Sequence, residues 1–594
     1  MNNEGYENTE ARDGETRRDQ DRELELIDVQ KPNGTGNNTI NQYEDLDNKS
    51  SNWLDAVFVQ PRENMGSFLQ RHRSRINVLL IVLLNAVVIG FFVACWVYWA
   101  NDPHATPLEL CSGFGSLITY LTIIYFFVIY FQIIKRFIGK WFEKTIWSRV
   151  DKIAGWFWSI SILKYCFILA VLTGISLFLY YDTRDSPERL ISLLGLFLIL
   201  FVGFIFSSSP GRVNWRTVLV GLTLQFVFGL IFIRWEPGRI ALQCFSDKVA
   251  SFLMYGVEGA AFTFGDFLVK KESVFAFSVL PVIFFFSMLV EVLFFWGALQ
   301  WFCLKLGQVL KSATSITVCE SVIAVGNVFL GNTESALLIK PYLSKLTPSE
   351  MHVVMGSGFA TVSGTILAAY ISFGAEPAHL VTASVMSAPA AICYCKLLLP
   401  ETKRSLTAVD NIEPVTSEDE SALSAATRGA TNGIPLVLNI IANLVAFLAF
   451  IAFINGVLGY CGDLLGFEGL NMELIFGKIF IPLCWVMGVP WEECQSVATL
   501  IGLKTVVNEF VAYQRMGEMK DAGLLSPRSE LIATYALCGF TNPSSAAIMI
   551  GAISSMAPNQ RETLSGLAVR AFFAGCGICF MTACIAGKSK HKSN

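Results

Sequence analysis

Gly331-Asn332-Thr333-Glu334-Ser335-Ala336 interrupts two apolar stretches with residues that donate, accept and carry charge. A second interruption, Phe540-Thr541-Asn542-Pro543-Ser544-Ser545, comes late in the chain, and Asn508-Glu509-Phe510 lies inside another apolar run between them. Asn both donates and accepts hydrogen bonds. An ionised Glu only accepts, which suits hydroxyl groups such as those of a sugar. Left unpaired in hydrocarbon, such groups cost on the order of several kcal/mol each. Three clusters of this kind point to a polar ligand site at membrane depth. Covalent chemistry has no comparable signal. There is no phosphate-cradling Walker run and no GxSxG elbow, and His379, at the start of an apolar span, reads as structural.

The elements that must hold these clusters are apolar. The 594 residues are 53% hydrophobic and 15% charged, where soluble domains carry roughly a quarter charged residues. Phe alone occurs 47 times, and the mean hydropathy is +0.51. A soluble enzyme is excluded; the chain reads as an all-α polytopic membrane protein. A net charge of −4 without a basic surface gives no footing for nucleic acid. The 15 Cys are scattered with no zinc-like spacing and read as small buried side chains.

Residues 1–75 form a polar tail with the composition of a disordered segment, and no cleavable signal peptide precedes the first span. The tail ends in Arg71-His72-Arg73-Ser74-Arg75. Basic residues favour the cytoplasmic side, which places the N-terminus inside and leaves the sequons at Asn33, Asn37 and Asn48 unglycosylated. Apolar spans are expected at 76–99, 114–134, 160–181, 189–208, 215–233, 274–298, 351–372, 378–398, 433–458, 471–489, 496–514 and 563–586. A weaker span at 241–262 carries Asp247, Lys248 and Glu258 and reads as a helix buried in protein. The polar stretch from Glu401 to Thr431 reads as a loop.

Two stretches, 312–342 and 528–558, do not read as ordinary spans. Each holds a polar break flanked by about 8 to 14 apolar or small residues, too short to cross a bilayer at roughly 1.5 Å per residue. Two short helices meeting at a polar tip would fit, as would a pair of kinked helices. A re-entrant hairpin is tolerated where protein buries its broken backbone. The likeness between the two stretches suggests an internal repeat, inverted or not, with the ligand between the copies. Lys504 lies one helical turn before Asn508. It either pairs with Glu509 or snorkels to the end of its span.

Several segments together resemble the concentrative nucleoside transporter family of the eukaryotic, sodium-coupled kind. They are Gly326-Asn327-Val328-Phe329-Leu330-Gly331-Asn332-Thr333-Glu334, Gly364-Thr365 with Ala369-Tyr370-Ile371-Ser372-Phe373-Gly374, Leu380 through Ala390, Asn508 through Tyr513, and Ala536-Leu537-Cys538-Gly539-Phe540 with Asn542 and Ser545. Asn214-Trp215-Arg216-Thr217 and Leu224-Gln225-Phe226 add to them, and the resemblance covers about 190–588. It implies re-entrant helical hairpins and broken helices in an inverted-repeat transport core, a homotrimer in the lipid of the plasma membrane, and no enzymatic step. By similarity, Asn332, Thr333 and Glu334 face the nucleobase, while Glu509, Asn542 and Ser545 hold the ribose. Gly331, Phe540 and Ile366 line the same pocket, and sodium falls to Asn327, Leu330, Thr361 and Val362.

The resemblance further implies a division into a tail at 1–75, N-terminal helices at 76–188 and scaffold helices at 189–300. The first hairpin and following broken helix fall at 301–398, a loop at 399–432 and further scaffold helices at 433–495. A substrate-binding helix, second hairpin and final helix occupy 496–588, before a tail at 589–594. The expected activity is sodium-coupled import of purine or pyrimidine nucleosides, sodium binding first and the loaded region moving by an elevator mechanism. A transporter of another small polar solute, or a channel or receptor on a similar scaffold, is the alternative. The chain departs from the family pattern at Asn332, where Gln is usual, at Ala336, where Pro is common, and at Pro543. Gly331 matches broad and purine-preferring relatives, whereas Asn332 matches none of the pyrimidine, purine or broad patterns; a buried carboxylate with a raised pKa would allow proton coupling.

Overall fold

The computed structural model describes residues 72–102, 111–130, 173, 190–407, 415–417 and 419–587. Residues 1–71 of the expected tail, the tail at 589–594 and most of the span at 160–181 lie outside the described residues, and the last three tail positions, 73–75, begin the first helix. The chain divides into two compact units, Met1–Tyr120 and Leu121–Asn594. In the first unit, helix α1 (Arg73–Asn101) is apolar all round, with Leu79, Ile81 and Leu84 more than half exposed. A helix without a polar face reads as a membrane span. Phe114, at the start of α2 (Gly113–Ile129), packs its ring against Phe92 at 5.4 Å and Trp99 at 5.8 Å.

Beyond the end of α2, the described residues of the second unit continue with α3 (Leu190–Ile205), α4 (Trp215–Gly229) and α5 (Glu236–Phe264). Asn214 caps α4 by accepting from the Arg216 N–H at 3.1 Å. Within the single chain, α5 buries Gly238, Ser246, Leu253, Gly256, Ala260 and Ala261, while Tyr255 is 69% and Phe262 94% exposed. Its Glu258 is also exposed and pairs with Lys270 at 2.9 Å. Helices α6 (Val282–Phe295) and α7 (Ala298–Thr314) lead into the core.

That core repeats one order of elements twice. The first copy is α7, then α8 (Val318–Phe329) and the short α9 (Glu334–Leu337) on either side of a break, then α10 (Pro348–Ala360) and α11 (Gly364–Ser372) around a second break, then α12 (Pro377–Leu398). After the long α13 (Ala422–Leu464), the second copy is α14 (Met472–Ile479) with α15 (Ile481–Met487), α16 (Cys494–Val506) and α17 (Glu509–Asp521), α18 (Pro527–Leu537) and α19 (Pro543–Met556), and finally α20 (Arg561–Gly587). Among the described residues, seven helical stretches are long and apolar enough to cross a membrane.

Packing tells the fold-backs from the interrupted helices. A Cβ on Gly326 would meet Leu338 at 2.8 Å and Ser335 at 3.5 Å, so the chain after the first tip returns along α8. α16 and α17 likewise pack on each other, whereas α18 and α19 do not. The second fold-back is therefore 494–521, with its tip at Val507-Asn508, and the expected hairpin at 528–558 is an interrupted helix. Both stretches carry a polar break in an apolar run, so linear sequence did not separate them. The loop expected to Thr431 ends ten residues earlier, where Ser421 caps α13 by accepting from Ser424 N–H at 3.1 Å.

Threonine and serine caps set the starts. Thr317 and Glu320 form a reciprocal capping box on α8, as do Thr347 and Glu350 on α10, and Ser526 caps α18. The breaks meet at the centre. Gly539 has φ of +116° and lies against the end of α10: a Cβ there would stand 2.5 Å from the Phe359 carbonyl oxygen. Gly539→Ala should therefore destabilise the fold by roughly 1–3 kcal/mol from backbone strain alone. Thermal unfolding of the detergent-solubilised protein checks this, and an unchanged midpoint would contradict the crowding at Gly539.

Candidate functional site

Three helix starts converge on one cavity. Ser363 opens α11 by accepting from Thr365 N–H at 3.2 Å, Asn508 opens α17 by accepting from Val511 N–H at 3.1 Å, and Asn542 opens α19 by accepting from Ser545 N–H at 2.8 Å. Each cap follows directly on a break, so each break turns into a helix with its positive end toward the same space. The first tip closes the fourth side. Glu334 bends back to accept from the Gly331 N–H at 3.0 Å, fixing a tight turn that presents Asn332 and Thr333. The cavity has a volume of about 80 Å³.

Every residue expected at the base, ribose and pocket positions lines this cavity: Gly331, Asn332, Thr333, Glu334, Ile366, Glu509, Phe540, Asn542 and Ser545. They come from the first fold-back, the second fold-back and both interrupted helices, more than 200 residues apart at the extremes. Asn542 Nδ2 donates to Glu509 Oε2 at 2.6 Å, joining the second tip to the second interruption. Both side chains are about 2% exposed or less. Asn332 and Thr333 line the same cavity and bring amide and hydroxyl groups that can donate and accept. A glycine at 358 lets Asn332 approach, since a Cβ there would come within 2.9 Å of the Asn332 Cβ.

The four residues expected at sodium also gather at the end of α8 and the break after α10. Asn327 is fully buried, donating from Nδ2 to Ser357 Oγ at 2.8 Å and accepting from Ser335 Oγ at 2.6 Å. Thr361 Oγ1 donates to the Ser357 carbonyl at 3.0 Å, and the Val362 N–H lies 3.4 Å from Ser384 Oγ. Leu330 ends α8 beside this break: a Cβ on Gly364 would lie 3.0 Å from the Phe329 carbonyl oxygen. Amide, hydroxyl and carbonyl oxygens therefore cluster there without a carboxylate, a donor set that suits a monovalent cation.

Lys504 neither snorkels nor forms a direct ion pair. It is 1% exposed, and its Nζ donates to the Ala536 carbonyl at 2.8 Å. Sequence reading also missed part of the lining: Ser363, Thr365 and Ser544, and Asn439 and Asn443 on α13. Asn443 donates to Ser544 Oγ at 2.7 Å. Two Asn one helical turn apart in an apolar span were the available signal. Within the span expected at 433–458 they read as tolerated polar residues.

Three family profiles match the chain. Na+ dependent nucleoside transporter N-terminus covers residues 194–267, nucleoside recognition (gate) covers 276–377, and Na+ dependent nucleoside transporter C-terminus covers 379–587. Sodium/nucleoside cotransporter 1 of Oryctolagus cuniculus is 39% identical, over 89% of this chain and 80% of that protein. Solute carrier family 28 member 3 of Homo sapiens is 40% identical, over 88% and 75%. Among solved structures, CNTnw in an inward-facing substrate-bound state superposes with a TM-score of 0.64 at 36% identity, covering 68% of this chain and 97% of that one. A CNTnw variant in an outward-facing state gives 0.65 at 35% identity, covering 68% and 98%. With this identity sustained over most of both chains, the protein belongs to the sodium-dependent nucleoside transporter family.

Proposed function

We propose that this chain imports nucleosides together with sodium, and that the cavity between the two fold-backs is where the nucleoside sits. The observation that carries this reading is the Glu509–Asn542 pair facing the Asn332-Thr333-Glu334 tip across one cavity. A carboxylate already fixed by an amide donor is a ready acceptor for vicinal ribose hydroxyls. Asn542 and Ser545 sit at a helix start, whose free N–H groups favour a polar oxygen. The base faces Asn332, Thr333 and Glu334. Phe540 and Ile366 give its ring apolar contact. Asn332 is one methylene shorter than the usual Gln, so a bridging water completes its reach.

Sodium binds first, among Asn327, Leu330, Thr361 and Val362, and stiffens the first tip, which shares Ser335 with Asn327. The loaded region then moves past α13 as an elevator, and the sodium gradient supplies the free energy. The protein works as a multi-pass homotrimer in the plasma membrane with its N-terminus in the cytoplasm. The elements within 301–398 and 496–588 form the moving core.

Uptake of radiolabelled uridine and adenosine should require sodium and vanish when choline replaces it. Sodium-independent uptake would sink the symport reading. Glu509→Gln removes a hydrogen bond to a charged acceptor, roughly 1.5–3 kcal/mol, and should raise the KM for nucleoside about 10- to 100-fold. A wild-type KM would remove Glu509 from the ribose site. Asn332→Gln should change the ratio of uridine to adenosine uptake while leaving sodium activation unaltered. An unchanged ratio would take Asn332 out of base recognition.

A further inference from the structure

The repeated order of elements places two buried side chains at equivalent positions. Asn327 stands three residues before Leu330, where α8 ends, and Lys504 stands three residues before Val507, where α16 ends. The next arm begins with Glu334 in one copy and Glu509 in the other. Both side chains are buried, at 0% and 1% exposure, and both reach across to the last turn before the break of the neighbouring interrupted helix. Asn327 touches Ser357, near the end of α10. Lys504 Nζ donates to the Ala536 carbonyl at 2.8 Å and reaches the Cys538 carbonyl at 3.5 Å, at the end of α18. Thr361 and Cys538 are the first residues of their respective breaks.

Chemically the two places differ in one respect. The first copy gathers neutral amide and hydroxyl groups, whereas the second puts an ammonium against the carbonyl end of a helix. That end carries partial negative charge, and a lysine nitrogen is a compact point charge with three donors. Glu509 on α17 and the thiols of Cys538, Cys576 and Cys579 complete its surroundings. We propose that Lys504 is a tethered cation, holding the second fold-back to the second interrupted helix as sodium holds the first. It rests on the sodium reading above. The second half is then permanently assembled, while the first is assembled only when sodium is present. This makes Lys504 a positioning residue for Glu509 and Asn542, and it explains why a charge stays buried where a neutral side chain would cost less.

The test uses the full chain and measures nucleoside uptake against sodium concentration for Lys504→Arg, Lys504→Asn and Lys504→Gln. Lys504→Arg, which keeps a charge, should keep the wild-type sodium curve. Lys504→Asn recreates the neutral set of the first copy. It should need about 10-fold more sodium, and its Hill coefficient should rise above the wild-type value as a further ion enters. A Lys504→Asn curve identical to wild type would overturn the proposal. So would a loss of nucleoside affinity with no change in the sodium curve, which marks a simple brace for Glu509. Should the neutral variants fail to fold, their recovery in high sodium but not in high choline supports the tethered cation, and no recovery in either overturns it. A wild-type protein indifferent to sodium would instead sink the reading on which this rests.

Discussion

The structure depends on one constraint: a helix broken within hydrocarbon must have its exposed N–H and C=O groups satisfied by protein or ligand. Two fold-backs and two interrupted helices give many such ends, and the fold brings them to one place. Ser363, Asn508 and Asn542 cap the incoming N–H groups. Lys504 meets the outgoing carbonyls of α18. Glu334 closes its own turn on the Gly331 N–H. What these residues leave unmet is the recognition surface. The polar site is thus a direct consequence of how the helices are interrupted.

The far ends of the same elements are held differently. Glu320 and Glu350 close the capping boxes of α8 and α10, and Lys396 from α12 lies between their helices, bonded to Glu320 and to Ser349 Oγ at 2.9 Å. Ser405 and Thr407 donate to the Glu350 carboxylate at 2.6 and 2.7 Å. Breaking one partner of a buried network of this kind strands the rest, so it behaves as a unit. Toward the cavity, the contact from α13 is much lighter: Leu436, Ile440, Asn439 and the Asn443–Ser544 bond. A core knitted tightly within itself and lightly to α13 is what movement past that helix requires.

Much of this was legible in the linear chain. Composition gave the membrane class, and the polar breaks at 331–334, 508–509 and 540–545 marked the cavity lining, because Glu and Asn in hydrocarbon are too costly to lack a use. The family segments pointed to the same side chains. Other features were not legible. Polar breaks look alike whether the chain turns back or continues, so the linear chain points to a fold-back at 528–558 where packing has it at 494–521. Asn439 and Asn443 looked like tolerated polar residues because nothing local says which face of α13 meets the core.

The sequence by itself determined that this chain crosses a membrane as helices, where those helices break, and which side chains stand at the breaks. Those are local properties, set by hydropathy and by the cost of an unpaired polar group. Only the tertiary structure decided which break faces which. The Glu509–Asn542 bond, the meeting of Gly539 with Phe359, and the reach of Lys504 to Ala536 join residues that the chain separates by tens or hundreds of positions. Such pairings follow from how the two repeats pack, and packing depends on shape across elements that no single stretch of sequence contains.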